Sequence, residues 1–361
     1  MSVLDEVERH RNDIITDTYT VTWRELISQY KDNELTINPD YQRLFRWDVD
    51  QQTQYIESIL LNIPSPPLFL SRTDDGGFEV IDGLQRVSTL LKFFAGEILP
   101  VATDQSQEED ETQNDIAKPS VLTEGRIVPA LDGFTAASLP ESLVRIIKYA
   151  RITVILLEKG SNKRARYEVF RRLNRFGSLL SDQEIRNCTA RLLGREFPDQ
   201  LRTFAAKPVV RAVLGLSEES QRRMGIEENI LRLLAMNFSE KPLKHQIREF
   251  LDDFMEFAAE GKFRLTPEIA SRLEKVFQHV HEAVPDGNAF RLRNQGFSTN
   301  LFDVVGTGVF QNVDALGPKQ LKERFEALLD SPDLKALIGA GSNTRKKLQG
   351  RIDLGKRWFA Q

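Results

Sequence analysis

Strand-type and helix-type hydrophobic patterns are not spread evenly along this chain. Alternating apolar runs stop near residue 160; from about residue 162 onward the apolar residues recur almost wholly with a helical period. Such an asymmetry favours an α+β domain followed by an all-helical one. With 361 residues the chain has room for both. The patterns place the domains at 1–190 and 191–361, with the change of character near 180 to 195.

Within the first part, "YTVTW" (19–23) alternates like a strand and "RELISQYKDN" is helix-like. "LTINPDYQRLFRW" is extended, because Pro39 disfavours helix at Asn38. Asp48 and Gln51 form a capping box for "VDQQTQYIESILLNI", where Ile56, Ile59, Leu60 and Ile63 share one helical face. Pro64 stops that helix. "TDDGG" makes 68–82 a β-hairpin whose second strand, "FEVI", ends at Asp82. A helix follows, with Val87, Leu90, Leu91 and Phe94 on one face. "GRIVPAL" and "YARITVILLE" read as strands flanking a short helix and an acidic insertion at about 103–118. That insertion reads as a solvated, mobile loop. In "NKRARYEVFRRLNRF", Ala165, Val169, Leu173 and Phe176 mark one side and Arg164, Arg171 and Arg175 the other, before Gly177 ends the helix. Ser181 and Glu184 then form a second capping box, with Leu180 stapling onto Ile185. Later helices break near Pro208, Pro242, Pro267, Pro285 and Pro318.

Two polar clusters carry candidate chemistry. In "VIDGLQRVSTLLKFF" (80–94), Asp82 could be an N-cap with Gln85 completing its box. The same strand-to-helix turn could instead present free backbone N–H groups and the helix dipole to a phosphate, with Arg86 as a matching fork. In "NPDYQRLFRW" (38–47), Tyr41, Gln42, Arg43 and Arg46 lie among Phe45 and Trp47, which suits stacking on a base and clamping its phosphates. It equally suits an edge segment with buried aromatics and solvated arginines. Arg164, Arg171 and Arg175 could track a DNA backbone or form a solvated helix face, and the tail "TRKKLQGR" poses the same choice.

Composition closes other routes. The net charge of −4 does not advertise nucleic acid, so local patches decide. No apolar run approaches a membrane span, and the first residues lack an apolar signal core, so a cytoplasmic protein without membrane contact is expected. The single cysteine, Cys188, fits a reducing compartment and a buried side chain. The P-loop motif and paired zinc ligands are absent from the sequence.

Three motifs, in order, resemble the GmrSD-type restriction endonuclease N-terminal domain family. They are "NPDYQRLFRW", "IDGLQRVSTLLKFF" and "VFRRLNRFGSLLSDQEIRN", together spanning much of residues 15 to 195. "NLFDVVGTGVF" and "TRKKLQGRIDL" are similar to the ends of single-module members. The resemblance implies a ParB/sulfiredoxin-like N-terminal domain that binds a nucleoside triphosphate, often hydrolyses it with Mg²⁺, and is coupled to recognition or cutting of foreign DNA in prokaryotic restriction or anti-phage defence. Carried over, Asp82, Gln85 and Arg86 would be catalytic. Tyr41, Gln42, Arg43, Gly83, Ser88, Thr89 and Asn174 would bind the nucleotide; the metal ligands are left open. Leu84 stands where the family signature has its first Gln, which bears on hydrolysis. Two-domain members carry a His-Asn-His nuclease, which needs histidines. Only His10, His245, His279 and His281 occur here, and His279 and His281 point about 200° apart on a helix. If DNA is cut, the first domain or a partner nuclease would do it; the alternative is a non-hydrolysing, nucleotide-gated DNA-binding or regulatory subunit.

Overall fold

The computed structural model describes residues 2–11, 13–37, 47–73, 75–98, 119–161, 167–169, 171–173, 181–241, 243, 246–285, 289–292, 296–338 and 344–360. The chain divides into two compact units, Met1–Gly177 and Ser178–Gln361. The segment "SDQEIRN" therefore falls in the second unit, whereas the sequence patterns put the boundary at 190. The acidic insertion lies outside the described residues.

The first unit is mixed α and β. Its strands are β1 (Thr16–Thr22), β2 (Leu35–Thr36), β3 (Leu68–Arg72), β4 (Phe78–Asp82) and β5 (Arg151–Leu157). Its longer helices are α1 (Val3–Arg11), α2 (Trp23–Lys31), α3 (Val49–Leu60), α4 (Leu84–Phe93) and α5 (Glu141–Tyr149), and a single helical turn, Ala95–Ile98, follows α4. The strands form one sheet in the order β1-β5-β3-β4-β2. β1 and β5 are antiparallel, β5 and β3 parallel, β3 and β4 antiparallel, β4 and β2 parallel. The hairpin at 68–82 forms as its turn chemistry requires. Leu68, Leu70 and Val154 on the central strands are fully buried.

Local signals set several helix ends. Asp48 and Gln51 make the capping box that opens α3, and Ser28, Tyr30 and their neighbours close α2 through the Asp32 amide. Ile56 and Ile59 are buried, while Ile63 lies past the helix end and is exposed. "GRIVPAL" is not a strand. The amides of Ile127 and Val128 donate to the Glu57 carboxylate at 2.7 and 2.6 Å, and Pro129–Leu131 tightens into a single 3₁₀ turn. A buried carboxylate thus takes the bonds that a neighbouring strand would have supplied.

The described part of the second unit is helical apart from one isolated bridge, Arg291 to Phe297. Its helices are α6 (Asp182–Ala190), α7 (Glu196–Ala205), α8 (Pro208–Leu214), α9 (Glu218–Arg222), α10 (Gly225–Phe238), α11 (Ile247–Ala259), α12 (Pro267–Ala283), α13 (Thr299–Asn312), α14 (Pro318–Asp330), α15 (Pro332–Ile338) and α16 (Arg345–Phe359). Pro208, Pro267 and Pro318 open helices, where a missing N–H costs nothing. A continuous apolar core runs from Ala190 to Phe359, and Cys188 is buried beside it in α6. α13 and α16 approach most closely at Gly308 and Gly355: a Cβ on Gly308 would overlap the Gly355 carbonyl, and one on Gly355 the Val304 carbonyl.

Candidate functional site

β4 runs directly into α4. Asp82 is still in the sheet, opposite Phe69, so its backbone cannot serve as the N-cap. Gly83 takes that place with φ 97° and ψ 13°, and no side chain caps the helix. The capping box expected from Asp82 and Gln85 is therefore not made. Glycine is required at 83 for two reasons. Its φ lies in the left-handed region, and a Cβ would overlap Leu68 Cδ2 and crowd Arg86 Nη2 at 3.0 Å. The helix begins at Leu84, and its first internal bond is Val87 N to the Gly83 carbonyl, 3.0 Å. The N-cap residue, a glycine, therefore offers the first-turn amides no side-chain partner.

Arg86 does not stand at the mouth of the turn as an open fork. It is buried, at 8% exposure. Its Nη1 donates to the Pro66 carbonyl, and its Nη2 donates to Pro67 O at 3.2 Å and Asp82 Oδ2 at 3.3 Å. Its fork ties the Pro66–Pro67 segment and the strand end to the helix. Asp82 keeps a partly exposed carboxylate. Burial pushes its carboxyl above the ordinary value of 3.8, against the opposing pull of Arg86 and a bond from the Gly83 amide.

Gln85 also acts within the fold. Its Oε1 accepts from the Trp47 amide at 3.1 Å, and Gln52 Nε2 donates to the Trp47 carbonyl at 2.8 Å. Two side chains from two helices thus hold both backbone groups of one tryptophan. The Trp47 ring lies 5.6 Å from Tyr55, which in turn meets Trp23 edge-on at 6.2 Å. Trp47 is the last residue of "NPDYQRLFRW". The ends of the first two motifs therefore meet above α4. Ser88 and Thr89, expected to bind the cofactor, are fully buried, and Thr89 Oγ1 donates to the Gln85 carbonyl at 2.7 Å. They line no open surface. Ser88 Oγ and Gln52 Oε1 are buried without a hydrogen-bond partner, so α3 and α4 hold polar capacity the fold itself does not use. Gln52 was legible in principle: it shares the apolar face of Ile56 and Ile59, where a glutamine is out of place.

Tyr41, Gln42, Arg43 and Asn174 lie outside the described residues, as do Arg164 and Arg175. Arg171 is described. It bonds Glu168 at 3.0 Å and lies over the Tyr167 ring at 5.8 Å, so it is held by its own helix rather than set out as a free cation.

The third motif organises the second unit. Ser181 and Glu184 form their capping box at the start of α6. Arg186 is buried and pairs with Asp252 at 2.8 Å while donating to Gln183 Oε1 at 3.1 Å. The two C-terminal motifs meet at Asp303, whose carboxylate binds both Arg232 and, at 2.9 Å, Arg351. In "TRKKLQGR", Arg345 and Lys346 are exposed, but Arg351 is wholly buried and cannot contact DNA. His279 Nδ1 bonds the Leu316 carbonyl at 3.0 Å. Among the described residues no group of three or more His, Cys, Asp or Glu could hold a metal ion, and no helix is long and apolar enough to cross a membrane.

No curated protein and no solved structure matches the chain. A family model does match: residues 23–190 fit the GmrSD restriction endonuclease, N-terminal domain. The matched stretch begins at α2, contains the Asp82–Arg86 turn and the docked Trp47, and ends with α6. Residues 23–190 of the chain are thus assigned to the GmrSD restriction endonuclease N-terminal domain family.

Proposed function

We propose that this chain is a nucleotide-responsive component of a DNA restriction or defence system, and that a nucleoside triphosphate is taken at the turn from Asp82 to Gln85. One observation carries the reading: the first turn of α4 has no side-chain cap, and two family motifs are pinned together above it through Trp47 and Gln85. Uncapped amides at a helix start, with the dipole behind them, favour an anion. Asp82 alone would repel one. Arg86 beneath it supplies the compensating positive charge without touching the ligand. Asp82 would hold Mg²⁺, which would bring charge neutralisation to the phosphates when bound. Gln85 would orient the incoming segment rather than a water. Tyr41, Gln42, Arg43 and Asn174 would close the site, in a ParB/sulfiredoxin-like arrangement.

The test is calorimetric titration of the full chain with each of the four ribonucleoside triphosphates and Mg²⁺. Saturable binding of at least one is expected. Leu84→Glu is the informative variant, because a carboxylate in the first turn suits the helix dipole but repels phosphate. It should abolish binding while stability changes by less than about 0.5 kcal/mol. Absence of binding by the folded wild type to all four would remove the proposal.

Leu84 favours a second reading, in which the nucleotide is bound but not turned over, because an alkyl side chain cannot hydrogen-bond a water. Phosphate release with and without DNA separates the two. Restoring the family residue, Leu84→Gln, should raise release if turnover is latent. Nuclease action by the first unit itself predicts plasmid nicking with Mg²⁺ or Mn²⁺; without it, cutting falls to a partner nuclease.

A further inference from the structure

β1 is an edge strand, paired with β5 on one side. Its backbone direction is fixed at both ends. The Ile15 carbonyl accepts from Glu158 N at 2.9 Å, and Trp23 N donates to the Ala150 carbonyl at 3.1 Å. Backbone groups alternate in an antiparallel ladder, so odd-numbered residues face β5 and Thr16, Thr18 and Thr20 turn their N–H and C=O outward. Among the described residues no strand receives them; the Thr18 amide bonds the adjacent Asp17 carboxylate at 2.8 Å. Edge strands are usually blunted by Lys, Pro, a bulge or a cover. "TDTYTVT" has no Lys or Pro, and its pairing with β5 has no bulge.

The helix before it repeats the theme. α1 buries none of its residues, and Val3, Leu4 and Val7 are 79%, 65% and 56% exposed. Its charges are sorted along the axis: Asp5, Glu6 and Glu8 come first, Arg9, His10 and Arg11 last. Such a helix is complementary in charge to an antiparallel copy of itself. An edge strand is likewise complementary to its own antiparallel copy. Each condition is of the kind that a two-fold axis meets, which makes an interface from the same patch on each partner.

We infer that the partner for this face is a second copy of the chain. β1 pairs antiparallel with β1 of the other copy, which extends the sheet across the axis, and Asp17 yields the Thr18 amide to the partner strand. The α1 helices run antiparallel about Val7 and Glu8, acidic half against basic half, so that Glu6 of each copy meets Arg9 of the other. The occupant is specified by this symmetry: an unrelated strand could use the edge, but it would leave the sorted charges of α1 without a match.

The experiment is size exclusion with light scattering on the full chain over a wide concentration range. The wild type should run at the dimer mass. Thr20→Pro removes an outward N–H while sparing the bonds to β5, so it should give a monomer with an unchanged circular dichroism spectrum. Charge reversal on α1, where no packing is at stake, is the second arm. Glu6→Arg and Arg9→Glu should each shift the chain to monomer, and an equimolar mixture of the two should regain the dimer. A wild type that stays monomeric at every concentration overturns the inference. So does a dimer that persists in Thr20→Pro and in both charge variants.

Discussion

Arg86 is a side chain whose chemistry invites one role and whose surroundings assign another. A planar fork with five donors matches phosphate well. Here three of its bonds go to Pro66, Pro67 and Asp82. Removing it leaves a carboxylate and two carbonyls without their partner beneath a turn, so Arg86→Ala should lower stability by about 3–5 kcal/mol, read by urea unfolding. Arg86→Lys should recover little of this, because an ammonium cannot span the same fork. Neither variant is a clean probe of ligand binding. Asp82 is the better one. Burial holds its carboxyl above 3.8 in the folded state. Below the unfolded value both states are protonated. As pH rises towards the folded value, the folded chain keeps the proton that the unfolded chain has lost, so stability falls. Above the folded value the loss is complete and constant. Asp82→Asn should therefore remove a component of stability that declines as pH rises from 3.8 towards the folded value, while abolishing any Mg²⁺-dependent phosphate release.

Elements whose ends are set by neighbours in sequence were legible; elements set by distant partners were not. The boxes at Asp48–Gln51 and Ser181–Glu184 need only a three-residue spacing, and both form. The hairpin at 68–82 carries its own turn. Asp82 and Gln85 have the same spacing but no box, because pairing with Phe69 keeps Asp82 in the sheet. "GRIVPAL" has strand composition, yet its amides go to Glu57, seventy residues earlier at Ile127. The two motif ends at Trp47 and Gln85 could be recognised in the sequence, but not their mutual bond. The same limit hides the close contact of α13 and α16. Gly308 and Gly355 look like poor helix formers until the backbones touch. Because a Cβ at either would meet backbone rather than a movable side chain, Gly308→Ala and Gly355→Ala should each destabilise by about 1–3 kcal/mol, despite the gain in helix propensity. Thermal unfolding would show it, and the double variant should cost less than the sum, since one separation of the helices relieves both overlaps.

Across the helical unit as a whole, charges of alternating sign join segments that are far apart in sequence. Asp252 pairs with Arg186 at 2.8 Å, Arg186 approaches Glu228 at 3.6 Å, Glu228 acts electrostatically on Arg232, and Asp303 joins Arg232 to Arg351. Three positive and three negative groups belong to five helices, α6, α10, α11, α13 and α16. A buried network of this kind is poor evidence for stability, because desolvation offsets most of the attraction. Its value lies in register: an apolar core tolerates a slipped helix, whereas a slipped helix here leaves a charge without its partner. The two explanations give different outcomes. Asp303→Ala strands two guanidinium groups in the core and should cost at least about 3–5 kcal/mol. Replacing the whole triad by Arg232→Met, Asp303→Leu and Arg351→Met should recover that loss, and should even exceed the wild type by about 1–4 kcal/mol if volume is well matched. Urea unfolding followed by circular dichroism gives the stabilities. Amide hydrogen exchange on α13 and α16 tests the rest: if the charges set register, the stable triple variant should exchange faster in these two helices than the wild type, with packing retained but uniqueness lost.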